Sequence, residues 1–326
     1  MKDLRTRVIL LALQNAPALL FAVVVLAFSL LSERFLTPEN FVNIVIQAAN
    51  VGIVAIGMTF VLLIGGIDLS VGANMFLGAA ILGLYLNKAP LWLSFPLVAA
   101  IGLVFGAVNA WFVTRPRVAA FITTLATLFI GRGIALALTD NAMLVFSDPI
   151  QSFGRASWLG VPTAIWAFAS VLALALIVLK QTPFGRQIYA VGADPEAAGK
   201  AGIDVRRIIF SVYCICGLCA AIGGLISASQ VGAVSSTFGL QKEFPVVAAA
   251  VLGGTSLFGG RGGVLGTVFG AVLIQTVENG LVMINADPYF YPMVISAIIF
   301  IAVFIDSTRT TILERMERRT IRVEPA

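Results

Sequence analysis

Runs of about twenty apolar residues recur along nearly the whole chain, separated by short polar or glycine-rich connections, and no other feature constrains the fold as strongly. A helix of that length crosses the roughly 30 Å hydrocarbon core of a bilayer. Within lipid every backbone N–H and C=O must find its partner inside the protein, which makes helices the expected form of such runs. The predicted spans are Val8–Leu31, Ile44–Ile64, Val71–Leu86, Leu91–Val113, Val118–Leu138, Pro162–Leu179, Ile208–Gly232, Phe244–Phe258, Gly263–Ile284 and Tyr291–Ile305. Mean hydropathy is +1.00. The 326 residues, 59% hydrophobic and 11% charged, have room for about ten crossings and almost no extramembrane domain. The expected fold is an all-α polytopic membrane protein with broken helices, a single transmembrane domain over residues 1–326. Val8–Leu31 reads as a retained span, because a cleaved signal has a shorter apolar core ending at small residues.

Orientation follows from the cations. With the N-terminus inside, sixteen of the 21 Lys and Arg fall on cytoplasmic segments, the exceptions being Arg34, Lys88, Arg132, Arg155 and Lys242. That asymmetry predicts both termini in the cytoplasm, including the basic tail Ser307–Ala326. The net charge of +5 is scattered between spans rather than gathered on one face, so it speaks for membrane orientation and against nucleic acid. Histidine is absent, which excludes Ser–His dyads, His-based zinc sites and imidazole proton relays. Cys214, Cys216 and Cys219 share one apolar run, where cysteine serves as a small apolar filler; metal or redox chemistry is the alternative.

Residues 180–207 form the one long internal segment that must sit in water. Its middle has the grammar of a short helix: Asp194 as N-cap, Pro195 at the first helical position, Glu196 at the positive dipole end. Gly199 and Gly202 are expected to stop it, and Asp204 to cap the next helical segment. Ala197, Ala198 and Ala201 give it a low-relief face. Glu196 and Lys200 stand at i and i+4, a pairing worth only about 0.2–0.5 kcal/mol, so shape outweighs charge in whatever this helix does. The segment is no P-loop: its glycines are too far apart, and Ala201 stands where Ser or Thr must hold magnesium. Any ATP that drives this chain is bound by another one.

Two further stretches are glycine-rich. Gly65-Gly66-Ile67-Asp68-Leu69-Ser70-Val71-Gly72 is expected to break one helix and cap the next. Val251-Leu252-Gly253-Gly254-Thr255-Ser256-Leu257-Phe258-Gly259-Gly260 repeats the Gly-Gly-x-x-Leu-x-x-Gly pattern, and Gly78 matches Gly266 at the same offset. The predicted topology places both copies on one side of the membrane, which reads as a shared helix-breaking device rather than an inverted duplication.

Together with Gly192-Ala193-Asp194, Ala197-Ala198 and Ala201-Gly202-Ile203, these stretches resemble the ribose-type ABC importer permeases for monosaccharides, from about Phe41 to Asp306. The resemblance implies a fold like that of the cobalamin-type (type II) importer permeases, with residues 180–207 as cytoplasmic coupling loop. It also implies the partners: a separate ABC ATPase subunit gripping the 194–202 helix, a periplasmic sugar-binding protein, and a second permease chain, identical or related. The setting would be the bacterial inner membrane, with lipid around the spans. No cofactor is implied.

Polar residues inside the spans are the remaining candidates. Asn43, Gln47 and Asn50 share one helical face, and Gln275, Glu278 and Asn279 another that continues through Thr267 and Ala271. A carboxylate at mid-span costs about 2.5–3.5 kcal/mol, so Glu278 should face protein or water. Neutral amides suit a sugar pathway, with interhelical packing as the other reading. Asp68 and Ser70 either support a gate or only cap helix ends. Arg132 either snorkels or pairs with a buried acid, and Glu243 either meets an external partner or caps the eighth span. The expected function is therefore the transmembrane subunit of an ATP-driven importer for a monosaccharide or polyol, not an enzyme. An ion-coupled secondary transporter is the alternative, and it would ordinarily need membrane-embedded acids or histidines.

Overall fold

The computed structural model describes residues 16–298, 300, 301 and 304. The basic N-terminal segment with Lys2, Arg5 and Arg7 and the tail Ser307–Ala326 lie outside the described residues. Helices dominate: α1 (Ala16–Leu31), α2 (Pro38–Leu63), α3 (Val71–Tyr85), α4 (Leu91–Thr114), α5 (Ala120–Thr139), α6 (Asp148–Arg155), α7 (Thr163–Gln181), α8 (Pro183–Ala193), α9 (Pro195–Lys200), α10 (Val205–Val231), α11 (Glu243–Leu252) and α12 (Val264–Met283). A 3-10 turn at Pro288–Phe290 leads into helical residues 291–298. Four two-residue strands, β1 (Leu144–Val145), β2 (Ser157–Trp158), β3 (Val161–Pro162) and β4 (Ala233–Val234), form the antiparallel pairs β1–β4 and β2–β3.

Among the described residues, six helices (α2, α4, α5, α7, α10 and α12) are long and apolar enough to cross a membrane; α1, α3 and α11 contain shorter apolar helices. The expected span Phe244–Phe258 is not met. Its helix, α11, has ten residues and ends at Leu252, a rise of about 15 Å, half a bilayer core. Gly254 takes a left-handed φ of +84° there, and the amides of Gly254 and Thr255 turn back to the carbonyls of Val251 and Ala250. That is a Schellman stop. The loop Asp140–Val161 also holds more structure than expected, with α6 and β1 to β3 folded into it.

The chain forms two compact units, Val42–Val272 and a smaller one from Met1–Phe41 with Leu273–Ala326. In the larger unit α10 is the axis, packed on α3, α4 and α6. Close approach to α4 depends on small residues at four-residue spacing, Gly102 and Gly106 facing Gly217 and Ala221. A Cβ on Gly217 would stand 2.9 Å from the Gly106 nitrogen, too close for any side chain. The cysteines are explained by the same packing. All three are free, and a Cβ on Gly57 of α2 would stand 2.7 Å from the Cys219 Cβ and 3.0 Å from the Cys216 Cα. They fill a tight helix crossing. In the smaller unit Phe28 and Phe35 pack with ring centroids 5.6 Å apart, and Phe28 covers Gly280.

Candidate functional site

The water-exposed segment is built from two capped helices, one of them not anticipated from the sequence. Thr182 caps α8 by accepting the Gly185 N–H at 3.2 Å, with Pro183 at the first helical position. Asp194 repeats the device for α9, its Oδ1 accepting the N–H groups of Glu196 at 2.9 Å and Ala197 at 3.0 Å. Gly202, with φ +84°, closes α9 in a second Schellman turn, and the Ile203 amide reaches the Ala198 carbonyl at 3.1 Å. Asp204 then caps α10 through Arg207. Lys200 meets Glu196 at 2.7 Å, both well exposed. The three alanines do not share one free face: Ala197 and Ala201 are exposed, while Ala198 is buried against the chain itself.

At the α8–α9 junction the three sequence motifs meet. The last carbonyl of α2, Leu63 O, accepts the Gly260 N–H at 2.9 Å. A Cβ on Gly192 would collide with that same carbonyl and stand 2.7 Å from the Gly260 nitrogen; one on Gly259 would stand 2.7 Å from the Gly192 carbonyl and 2.9 Å from the Gly65 nitrogen. Three backbones therefore touch where no side chain fits. α2 itself stops as α11 does, with Gly65 at φ +72° and the Gly66 amide reaching the Val61 carbonyl at 3.0 Å. Gly65 and Gly254 play the same part, so the structural match between the breaks is offset by one residue from the sequence match. Phe258, 92% exposed, stands beside this junction.

Beyond the first break lies a buried polar network. Asp68 Oδ1 accepts the Ser70 N–H at 2.9 Å, the Ser70 hydroxyl at 2.5 Å and the Asn109 amide at 3.4 Å. Asn109 also donates to Ser70 Oγ at 2.7 Å and accepts from Thr127 Oγ1 at 2.7 Å. Ser70 occupies the N-cap position of α3 but its side chain makes no cap bond; its hydroxyl goes to Asp68 instead. Asn109 and Thr127 were not singled out in the sequence. They are polar residues within apolar spans, the signal that marked Asn50, and it went unused for α4 and α5.

The other candidates separate. Asn50, in the larger unit, donates to Gln230 Oε1 at 2.7 Å, while its own Oδ1 is buried without a partner. Asn43 and Gln47 are exposed on α2. Thr267 shares a 2.6 Å hydrogen bond with Thr59. In the smaller unit Gln275 donates to Glu278 Oε2 at 2.9 Å, and Asn279 exchanges two 2.9 Å bonds with Asn40, which occupies both of its amide atoms. Arg132 donates to the carbonyls of Ser236 and Phe238 and lies over the Phe76 ring at 5.3 Å. Glu243 is buried at the start of α11, with Oε2 3.0 Å from the point where a Gly72 Cβ would stand.

Residues 40–303 match the family described as the permease component of branched-chain amino acid transport systems. The ribose import permease RbsC of Haemophilus influenzae is 38% identical over 285 residues, 86% of this chain and 88% of that protein. RbsC of Bacillus subtilis is 37% identical over 298 residues, 90% and 92%. The chain belongs to the ribose-type importer permease family. The D-allose permease AlsC of Escherichia coli, 36% identical over 296 residues (88% and 89%), is a further relative of this permease. No solved structure matches. Such relatives are transport subunits, not enzymes, and with six apolar helices of spanning length among the described residues the permease is a multi-pass protein of the inner membrane.

Proposed function

We propose that this permease carries a monosaccharide or related polyol across the bacterial inner membrane, driven by a separate ATPase that docks on α9. The observation that carries the proposal is the junction at Gly192, where the entry to α9 touches the ends of both helix breaks through backbone alone. A push on α9 reaches Leu63 and Gly260 without a soft side chain between them, as a two-state gate biased by nucleotide requires. Ala197, Ala201 and the exposed Phe258 form the contact surface, while Asp194, Pro195, Glu196, Lys200 and Gly202 shape the helix. Ala198 anchors α9 to its own chain.

About ten spans with both termini cytoplasmic form one permease domain over residues 1–326, with coupling loop 180–207, tail 307–326 and a type II fold. α3, α11 and the helix from residue 291 serve as short or broken spans beside the six long ones. A periplasmic binding protein delivers the sugar, and a second permease chain, identical or related, completes the pathway. Exposed Asn43 and Gln47 on a spanning helix favour water or another chain over lipid as their neighbour. Asn50, Gln275 and Glu278 are the amide and carboxylate groups assigned to the route. Asp68 and Ser70 support its gate. Asn279, paired with Asn40, fits packing better than transport. The test is single-cysteine crosslinking to the copurifying ATPase. Cysteine at Ala197 or Ala201 is expected to crosslink and cysteine at Ala198 to stay silent; an absence of crosslinks at all three removes the docking role.

A further inference from the structure

We propose that Arg132 is a positioning residue for transport: it pins the connection between α10 and α11 to α3, giving α11 a fixed end about which to turn, a role that rests on the coupled transport proposed above. An arginine within an apolar spanning helix is costly unless the protein itself satisfies its guanidinium. On α5 the backbone of another segment does so. Nη1 donates to the Phe238 carbonyl at 3.3 Å and Nη2 to the Ser236 carbonyl, while the guanidinium lies over the Phe76 ring of α3 at 5.3 Å. Residues 235–242 turn on themselves through three backbone bonds, Phe238 to Ser235, Leu240 to Thr237 and Lys242 to Gly239. No backbone amide among the described residues reaches the Ser236 or Phe238 carbonyl, so Arg132 supplies what the turns leave open. A planar fork serves two carbonyls at once, which the point charge of lysine cannot do.

The same connection is seated on either side of the pin. Before it, β4 pairs with β1. After it, Gly239 crosses Gly72 in the first turn of α3 so closely that a Cβ on either would collide with the carbonyl oxygen of the other. Glu243, the first residue of α11, brings Oε2 to 3.0 Å from that Gly72 position, and the opposite charges of Glu243 and Arg132 attract one another. The body that receives the connection is itself held: Asn109 of α4 bonds Asp68 and Ser70, at the entry to α3, and Thr127 of α5. At its far end α11 leads into the second break, whose Gly259 and Gly260 touch Gly192. A ten-residue helix pushed at one end turns if the other end is held, and slides if it is not. Arg132 thus makes a displacement at Gly192 into a rotation of α11.

Two measurements on the full chain separate the pin from the transport it serves. Hydrogen–deuterium exchange of the permease alone in detergent reads the pin: Arg132→Gln is expected to speed exchange of the Phe238, Leu240 and Lys242 amides about fivefold and to leave α9 unchanged. The ratio of sugar uptake to ATP hydrolysis, in proteoliposomes with the ATPase and binding protein, reads the positioning. Arg132→Gln is expected to keep hydrolysis and lower that ratio about fivefold, and Arg132→Lys, which retains the charge, to lower it about twofold. Arg155→Gln, at an exposed cation outside any ion pair among the described residues, is expected to change nothing. A residue that only stabilised the fold would lower uptake and hydrolysis together, so an unchanged ratio in Arg132→Gln overturns the proposal. So does unchanged exchange in that variant, or a wild-type ratio in Arg132→Lys. A wild type that imports no sugar removes the transport reading and the positioning role with it, while the exchange result still decides whether Arg132 holds the connection.

Discussion

The two helix breaks share a sequence pattern and the same Schellman stop, yet they are held in opposite ways. After Gly65 the chain enters a saturated polar network, in which Asp68 takes three hydrogen bonds and Asn109 ties in α4 and α5. After Gly254 the loop has few side-chain bonds. Thr255 Oγ1 has no partner, Ser256 closes the turn by accepting the Phe258 N–H and donating its own N–H to Arg261, and Phe258 projects outward. Glycine pairs end a helix, but the polar residues after them decide how firmly the end is held. The first break is held by buried side-chain hydrogen bonds and the second mainly by backbone contacts, with Gly192 touching both.

That contrast can be broken in several places. Asp68→Ala strands the Ser70 and Asn109 donors in a buried site and is expected to lower thermal stability by about 3 kcal/mol, as read by denaturation in detergent. Full stability in this variant would contradict that hold. Ala198→Trp, at a position 5% exposed, should displace α9 from its own chain and cost about 1–3 kcal/mol, whereas Ala197→Trp should leave stability unchanged and impair only ATPase docking. Equal melting losses would mean that α9 has no inward and outward side. Tyr189→Phe loses one hydrogen bond to the second loop and is expected to cost about 1 kcal/mol. Thr255→Val removes a hydroxyl that has no partner, so it should be neutral or slightly stabilising. A loss comparable to Asp68→Ala would show the second break to be as firmly tied as the first.

The sequence disclosed much of this and missed the rest for physical reasons. Hydropathy finds apolar runs, so the six long spans were readable, though α2 starts at Pro38 rather than Ile44, and the caps at Asp194 and Asp204 were readable from their residue types. It reads Phe244–Phe258 as one span, because a left-handed Gly254 changes hydropathy little while ending a helix outright. α8 was overlooked although Thr182-Pro183 carries the same cap signature as Asp194-Pro195. The Asp68–Asn109–Thr127 network brings the first helix break together with α4 and α5, and chain-local spacing cannot say which segments face each other. The backbone meeting at Gly192, Leu63 and Gly260 is likewise invisible in sequence except as glycines with no other evident purpose.

The central claim is that motion imposed on α9 passes through Gly192 to both breaks. The most direct measurement is the ratio of sugar uptake to ATP hydrolysis in proteoliposomes containing the permease with its ATPase and binding protein, wild type against Gly192→Ala. The added methyl group has no room between Leu63 O and Gly260 N, so it must part the junction while leaving the exposed face of α9 intact. Hydrolysis and assembly are expected to persist while uptake falls at least tenfold. A Gly192→Ala permease that imports sugar at the wild-type ratio would contradict the account.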